Sequence, residues 1–265
     1  MKGEFRVGIV DYLNSRPLAW DFLRGQARPG FRAYYHPPAE VADRLRDGRL
    51  DIGLIPSIEV QRIADLVVLA GPCVAAQQEV RSVLLVSTVP PQRIGRVALD
   101  RNSRTSATLV RILLAEQYGV EPEFTSSKPQ LQEMLAEADA ALIIGDPALR
   151  VSTGSLHVLD LAREWRGLTG LPFVFAVWAA RREVVRPDLP GVFCESLEHG
   201  IADLEVIADE AALELGLDRT DLMHYLTSNL SYELGAAERR SLEEFYRRAA
   251  ACGQLDEVHP LEFIL

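Results

Sequence analysis

The sequence predicts an α/β protein of two lobes with a ligand cleft between them. Three observations carry this expectation. Short β-rich runs alternate with helical patterns through the first half of the 265 residues, the mark of strands joined by crossover helices. The turn Val89-Pro90-Pro91 interrupts that alternation, and a second α/β unit starts behind it. The apolar run from Pro172 to Ala180 then reads as a strand covered on both faces, crossing back into the first lobe.

In order along the chain, Val7 to Val10 is the first expected strand, and Pro17 to Arg24 a short helix opened by proline and ended by Gly25. Phe31 to Tyr35 is a strand, Pro38 to Asp47 a helix closed by Gly48, Asp51 to Ile55 a strand, and Ile58 to Ile63 a further helical stretch. Leu66 to Ala70 and Ser82 to Ser87 complete the first unit. Pro90-Pro91 is the expected hinge, because proline lacks a donor and holds its predecessor in extended geometry. The second unit runs through strands at Val97 to Asp100, Glu123 to Ser126 and Ala140 to Ile144, with helices at Ser106 to Tyr118 and Leu131 to Glu137. Phe193 to Cys252 is expected to be mostly helix. Its stretch Ala236 to Ala251 places acidic residues early and arginines late, as the helix dipole favours.

Composition narrows the functional classes. Hydrophobic residues make up 48% and charged residues 25%, ordinary values for a globular chain able to bury its own core. A formal net charge of −10 argues against nucleic acid or an anionic lipid surface as a partner, since both are captured by clustered lysine and arginine. No run approaches the ~18 consecutive apolar residues needed to span a bilayer. The N-terminus enters a strand without the apolar core of a secretion signal, so cytoplasmic residence is expected. Cys73, Cys194 and Cys252 form no CxxC pair and read as small buried hydrophobes. His36, His157, His199, His224 and His259 are scattered without metal-ligand spacing, so no metal is expected. Neither GxGxxG nor a Walker sequence is present, and no cofactor is inferred.

Ligands of open α/β sheets sit beyond the carboxyl ends of strands, and five segments there carry polar residues. In Asp11-Tyr12-Leu13-Asn14-Ser15-Arg16-Pro17, a loop opening a helix can hold a carboxylate on free N–H groups while Asn14 and Ser15 donate; a plain helix cap with a surface arginine is the competing reading. Ser57, in Ile55-Pro56-Ser57, is a cap or a ligand donor. Arg81 and Ser82 precede an apolar strand, either as an anion partner and a cleft hydroxyl or as polar filler. Asp100 to Ala107 crowds Ser103, Thr105 and Ser106 at one helix entry; capping accounts for one hydroxyl there, and an anion site for three. Gly145-Asp146-Pro147 closes another strand, either to orient a ligand or as ordinary turn chemistry.

Taken together, the segments DYLNSRPL, GRLDIGLIPSIE, RSVLLVS, LDRNSRTSATLVRILL, IIGDPAL, LAREWRGLTGLPFVFAVWAAR and YLTSNLSYELG resemble the chorismate dehydratases of the futalosine route to menaquinone, in order and spacing from about residue 7 to 250. The resemblance implies a type II periplasmic-binding-protein-like fold. Its lobes are expected at 1–88 plus 178–265 and at 89–177. It also implies a cytoplasmic hydro-lyase that removes water from chorismate, a small dicarboxylate, to give 3-[(1-carboxyvinyl)oxy]benzoate. On this resemblance Asn14 and Ser82 fall beside the reacting ring. Ser103, Thr105 and Ser106 would hold a carboxylate, with Ser15, Arg16, Ser57, Arg81, Gly145 and Asp146 as further binding candidates. No histidine or carboxylate offers itself as general base in DYLNSRPL or RSVLLVS except Asp11, and the family permits the substrate's own enolpyruvyl carboxylate to take the proton. A non-catalytic solute-binding protein of the same fold is the alternative. The sister enzyme that forms dihydroxynaphthoate would show a histidine base and a differently written first loop. A LysR-type effector domain would need a DNA-binding segment ahead of the first strand.

Overall fold

The computed structural model describes residues 4–26, 29–152 and 154–264. Strand β1 (Phe5–Val10) is buried along nearly its whole length and pairs in parallel with β2 (Phe31–His36) and β3 (Ile52–Pro56). The helix Pro38–Arg46 joins β2 to β3, and it and the turn that follows lie so close to the pair that a Cβ at Gly8 would stand 2.8 Å from Val41 Cγ1 of the helix and 2.4 Å from Leu50 Cδ1 of the turn. Glycine is required at that contact by the approach alone, and it lets the helix seat on the strand ends that carry the site. Strand β4 (Leu66–Ala76) follows and runs longer than the expected Leu66 to Ala70.

The chain then enters a second sheet of β5 (Val83–Ser87), β6 (Arg96–Asp100), β7 (Glu123–Ser127), β8 (Ala140–Ile144) and β9 (His157–Asp160), in the order β7-β6-β8-β5-β9. Val83 and Leu85 of β5 face the main core, while Leu84 and Val86 face a smaller cluster with Ala98, Met134 and Ile143. Cover on both faces explains why this strand has no polar alternation. The return strand β10 (Phe173–Arg181) inserts between β3 and β4, antiparallel to both. β11 (Ser231–Glu233) and β12 (Phe263–Ile264) lie against β4. The first sheet thus reads β11-β4-β10-β3-β1-β2, with β12 off this path on β4.

Sheet membership changes earlier than the expected boundaries at 88 and 178. β5 pairs along its whole length with β8, and from Leu84 onward with β9. Pro90-Pro91 is therefore a turn within the second lobe, and the chain passes between sheets at 77–82 and 161–172. All of β10 belongs to the first sheet. A proline pair marks a break in hydrogen bonding, which a turn inside one sheet supplies as well as a hinge does.

The two crossings are fastened by one side chain. Asp160 caps the helix Leu161–Thr169 through the N–H groups of Ala162 and Arg163 (3.1 and 3.2 Å) and also accepts from Val80 and Arg81 (3.0 and 2.7 Å). Further along, Trp165 packs edge-on against Phe173 and Phe245. Its indole N–H is shared between the Pro172 carbonyl and Ser241 Oγ, which ties the tail helix Ala236–Ala251 to β10. Among the described residues no helix is long and apolar enough to cross a membrane.

Candidate active site

The carboxyl ends of β1, β3 and β8 and the first half of β10 surround a cavity lined by Val10, Leu54, Phe175 and Ile144 among others. The apolar lining confines direction-giving contacts to a few polar groups. Those groups fall into two sets on opposite sides.

The second lobe contributes Asn102, Ser103, Arg104, Thr105 and Ser106, all on the cavity wall. They precede or open the helix Thr105–Tyr118, whose N-terminus has no side-chain cap. Its first N–H groups and partial positive charge are thus left for an anion. Ser103 Oγ is buried and without a hydrogen-bond partner among the described residues, a cost of about 1–3 kcal/mol that a bound acceptor or donor removes. Ser106 lines the same wall. The Thr105 hydroxyl is engaged across the lobes, accepting from the Ile58 N–H at 3.2 Å and lying 3.4 Å from Ser57 Oγ. Arg104, the one charged residue among the described lining, is held by Asp43 (2.9 and 3.0 Å) and faces the buried Glu59 at 3.5 Å. Glu59 is also paired with Arg46 and Arg62.

The first lobe contributes Tyr12 and Asn14. Asn14 sits in the tight turn Leu13–Ser15, and the hydroxyl of Tyr225 donates to Ser82 Oγ at 2.8 Å. Ser82 is fully buried behind Val80 and Val83, which line the cavity. The Tyr12 ring lies flat over Gly145, where any Cβ would approach its atoms to 2.7 Å. Gly145 also has φ 69° and ψ −149°, a conformation essentially reserved for glycine. Burial, then Asp100, Asp146 and Asp11, push the Tyr12 phenol well above its usual range, so it stays a neutral donor.

Of the residues singled out in the sequence, Asn14, Ser103, Thr105, Ser106 and Gly145 line the cavity, and Ser82 lies one layer behind it. Five others are placed elsewhere. Ser15 donates within its own loop, to the carbonyls of Val10 and Tyr12. Arg16 pairs with Glu214 on a separate surface hollow. Ser57 donates to the Val174 carbonyl at 2.8 Å, which leaves it a strand-linking role. Arg81 carries φ 60° and binds Asp160 through its backbone, with its side chain off the cavity wall. Asp146 accepts from the Leu13 N–H at 2.9 Å; it positions the Asn14 turn from across the cleft. Asn102, the amide of the crowded helix entry, lines the cavity as well; Tyr225, Tyr12 and Arg104 were not singled out. Tyr225 had one available signal, its place in the quoted segment YLTSNLSYELG, but the contact it makes joins residues 143 positions apart.

Asp100, at the end of β6, receives the Asn102 N–H on Oδ1 at 2.9 Å, while Oδ2 is buried without a partner among the described residues. Burial pushes its carboxyl up to about 6, against the pull of backbone donors and Arg101. Because the folded value lies above the unfolded one, its stabilising contribution is complete below about pH 4 and is lost as the pH rises through about 6. Asp100→Asn, which cannot ionise, is therefore expected to be more stable than wild type at pH 7 by about 1–2 kcal/mol. The advantage should vanish toward pH 4 in thermal melts across that range. Among the described residues no group of three His, Cys, Asp or Glu side chains is placed to hold a metal ion.

The sequence matches the family described as menaquinone biosynthesis over residues 5–251. The chain belongs to this family. A chorismate dehydratase of Thermus thermophilus is 33% identical over 258 residues, covering 90% of this chain and 93% of that protein. Among solved structures, a structural-genomics protein of Archaeoglobus fulgidus superposes with a TM-score of 0.77 at 18% identity, over 95% of this chain and 98% of that one. The periplasmic aliphatic sulphonate binding protein SsuA of Escherichia coli superposes with a TM-score of 0.62 at 17% identity, over 100% and 97% of the two chains. These likenesses show the fold, a two-lobed periplasmic-binding-protein-like α/β architecture. The cavity of this family member lies between the two sheets, with its polar groups drawn from both.

Proposed function

We infer that this chain is a chorismate dehydratase, a hydro-lyase that converts chorismate to 3-[(1-carboxyvinyl)oxy]benzoate and water. The carrying observation is the pairing of two unlike polar sets across one apolar cavity, in a chain 33% identical to a chorismate dehydratase. The uncapped helix N-terminus with Ser103 and Ser106 suits a carboxylate. Asn14 and the Tyr225–Ser82 pair offer neutral hydrogen-bonding groups on the opposite side, where we assign Asn14 and Ser82 to the leaving hydroxyl.

The chemistry asks little of an ionisable side chain. When the C3–H bond breaks, its electrons form the C3–C4 double bond and the hydroxide leaves C4. The cyclohexadiene becomes a benzoate, and aromatisation drives the step. The enolpyruvyl carboxylate of the substrate takes the C3 proton, which with the departing hydroxide makes the water released. Neither histidine nor carboxylate occurs among the described residues lining the cavity, and this supports a base carried by the substrate. Orientation and preorganised donors supply the rest of the barrier lowering.

Chorismate deuterated at C3 tests the reaction. The account expects slower turnover and a product free of the label, lighter than its labelled substrate by one HDO. Label retained in the product contradicts elimination across C3 and C4, and chorismate recovered unchanged assigns the chain to solute binding.

A further inference from the structure

We propose that Tyr225 is a positioning residue of the reaction, setting the hydrogen-bond direction of Ser82, one of the two groups assigned to the leaving hydroxyl. The proposal rests on the dehydratase reading of the site.

Tyr225 opens the π-helical turn Tyr225–Asn229 at the end of the helix Arg219–His224. Such turns insert one residue into a helix and re-aim the side chain they carry. Here the side chain is carried from the C-terminal helices toward the crossing segment, so that a residue 1% exposed puts its hydroxyl on Ser82. The phenol oxygen has one proton to give, and it donates that proton to Ser82 Oγ at 2.8 Å. The bond runs in one sense, from Tyr225 O–H to Ser82 oxygen.

This arrangement fixes a choice that the serine side chain alone leaves open, since a hydroxyl can turn to donate or to accept. Ser82, acting as acceptor to Tyr225, must turn its own proton elsewhere, so it is poised as a donor. Its backbone is pinned as well: its N–H donates to Val80 at 2.7 Å and its carbonyl accepts from Gly145 at 2.8 Å. Burial keeps the Tyr225 phenol high, so the bond holds its direction across the working pH range. In this arrangement Tyr225 orients Ser82 without touching the substrate.

Tyr225→Phe removes the hydroxyl and keeps the ring in the core. The proposal expects kcat on chorismate to fall by about 10–100-fold with KM changed less than about threefold. It also expects non-additivity, with Ser82→Ala/Tyr225→Phe no slower than Ser82→Ala alone, because the hydroxyl acts through its partner. A kcat within twofold of wild type overturns the proposal. So does a double variant whose loss is the product of the single losses. Should Tyr225→Phe fail to fold, site-specific 3-fluorotyrosine at 225 takes its place; it keeps the bonds but changes their strength, and an unchanged kcat overturns the proposal. Wild-type protein without turnover overturns the dehydratase reading and this proposal together, whereas active wild type with an equally active Tyr225→Phe overturns this proposal alone.

Discussion

Replacing Asn14 or Ser82 with alanine is expected to lower chorismate turnover by about 10²–10³-fold while leaving chorismate affinity within a few-fold. Removing one preorganised donor at a site of developing charge has about that cost. The effect should appear in kcat because the donors meet the hydroxide only as it leaves C4, whereas the substrate's carboxylate is held on the other side by the helix N-terminus. Asn14→Ala should be the more severe of the two, because Asn14 lines the cavity and Ser82 lies behind it. Equilibrium binding by calorimetry beside steady-state kinetics separates the two quantities. Turnover near wild type in both variants removes them from the reaction, and an affinity loss as large as the turnover loss makes them ordinary ligand contacts.

The second large effect is at the opposite wall. Ser106→Asp places a carboxylate in the first turn of the helix Thr105–Tyr118, where the dipole favours negative charge by about 0.3–1 kcal/mol. As a mere helix start the position would gain thermal stability with no further consequence. As a carboxylate cradle it would set two like charges about 4 Å apart, a repulsion of about 4 kcal/mol at the effective dielectric of a protein surface. Chorismate affinity is therefore expected to fall by about 10²–10³-fold while the melting temperature holds or rises. Unchanged affinity in the stabilised variant would relocate the substrate carboxylate. Ser106→Ala, a milder change, should weaken binding by about tenfold at most.

What the sequence makes legible here follows the range of the forces involved. β3 and most of β10 are continuous apolar runs because both their faces are covered, and such runs announce themselves without a partner in view. The helix entry at Ser103 to Ser106 is legible for a similar reason, since three hydroxyls exceed what one cap uses. The change of sheets is not. Val83–Ser87 reads the same whether it pairs with β4 or with β8, and only the register Val83 to Ile144 decides it. Ser57 and Ser15 stand at strand and helix boundaries like true ligands, but backbone carbonyls claim their hydroxyls. Asp146 has the chemistry of a ligand and the geometry of a brace, because its nearest donor is the Leu13 N–H from the other lobe. Tyr225 lies 143 residues from Ser82, a separation that composition and periodicity do not bridge.

Charge tells a related story at larger scale. A chain with net charge −10 repels a dianion at long range, so capture must be local. The cavity meets that demand with helix N–H groups and neutral hydroxyls, while Arg104, its charged lining residue, is committed to Asp43 and faces Glu59. That pairing draws the two lobes together beside the cradle. It also leaves the dipole and the hydroxyls, which need no counter-charge, to meet the substrate.

The most direct test of the central claim is to mix the purified protein with chorismate and follow the products by mass spectrometry and ultraviolet absorbance. The account predicts a substituted benzoate lighter than chorismate by one water, accumulating over many turnovers per protein molecule. Chorismate bound tightly and recovered intact, or neither bound nor changed, would contradict it.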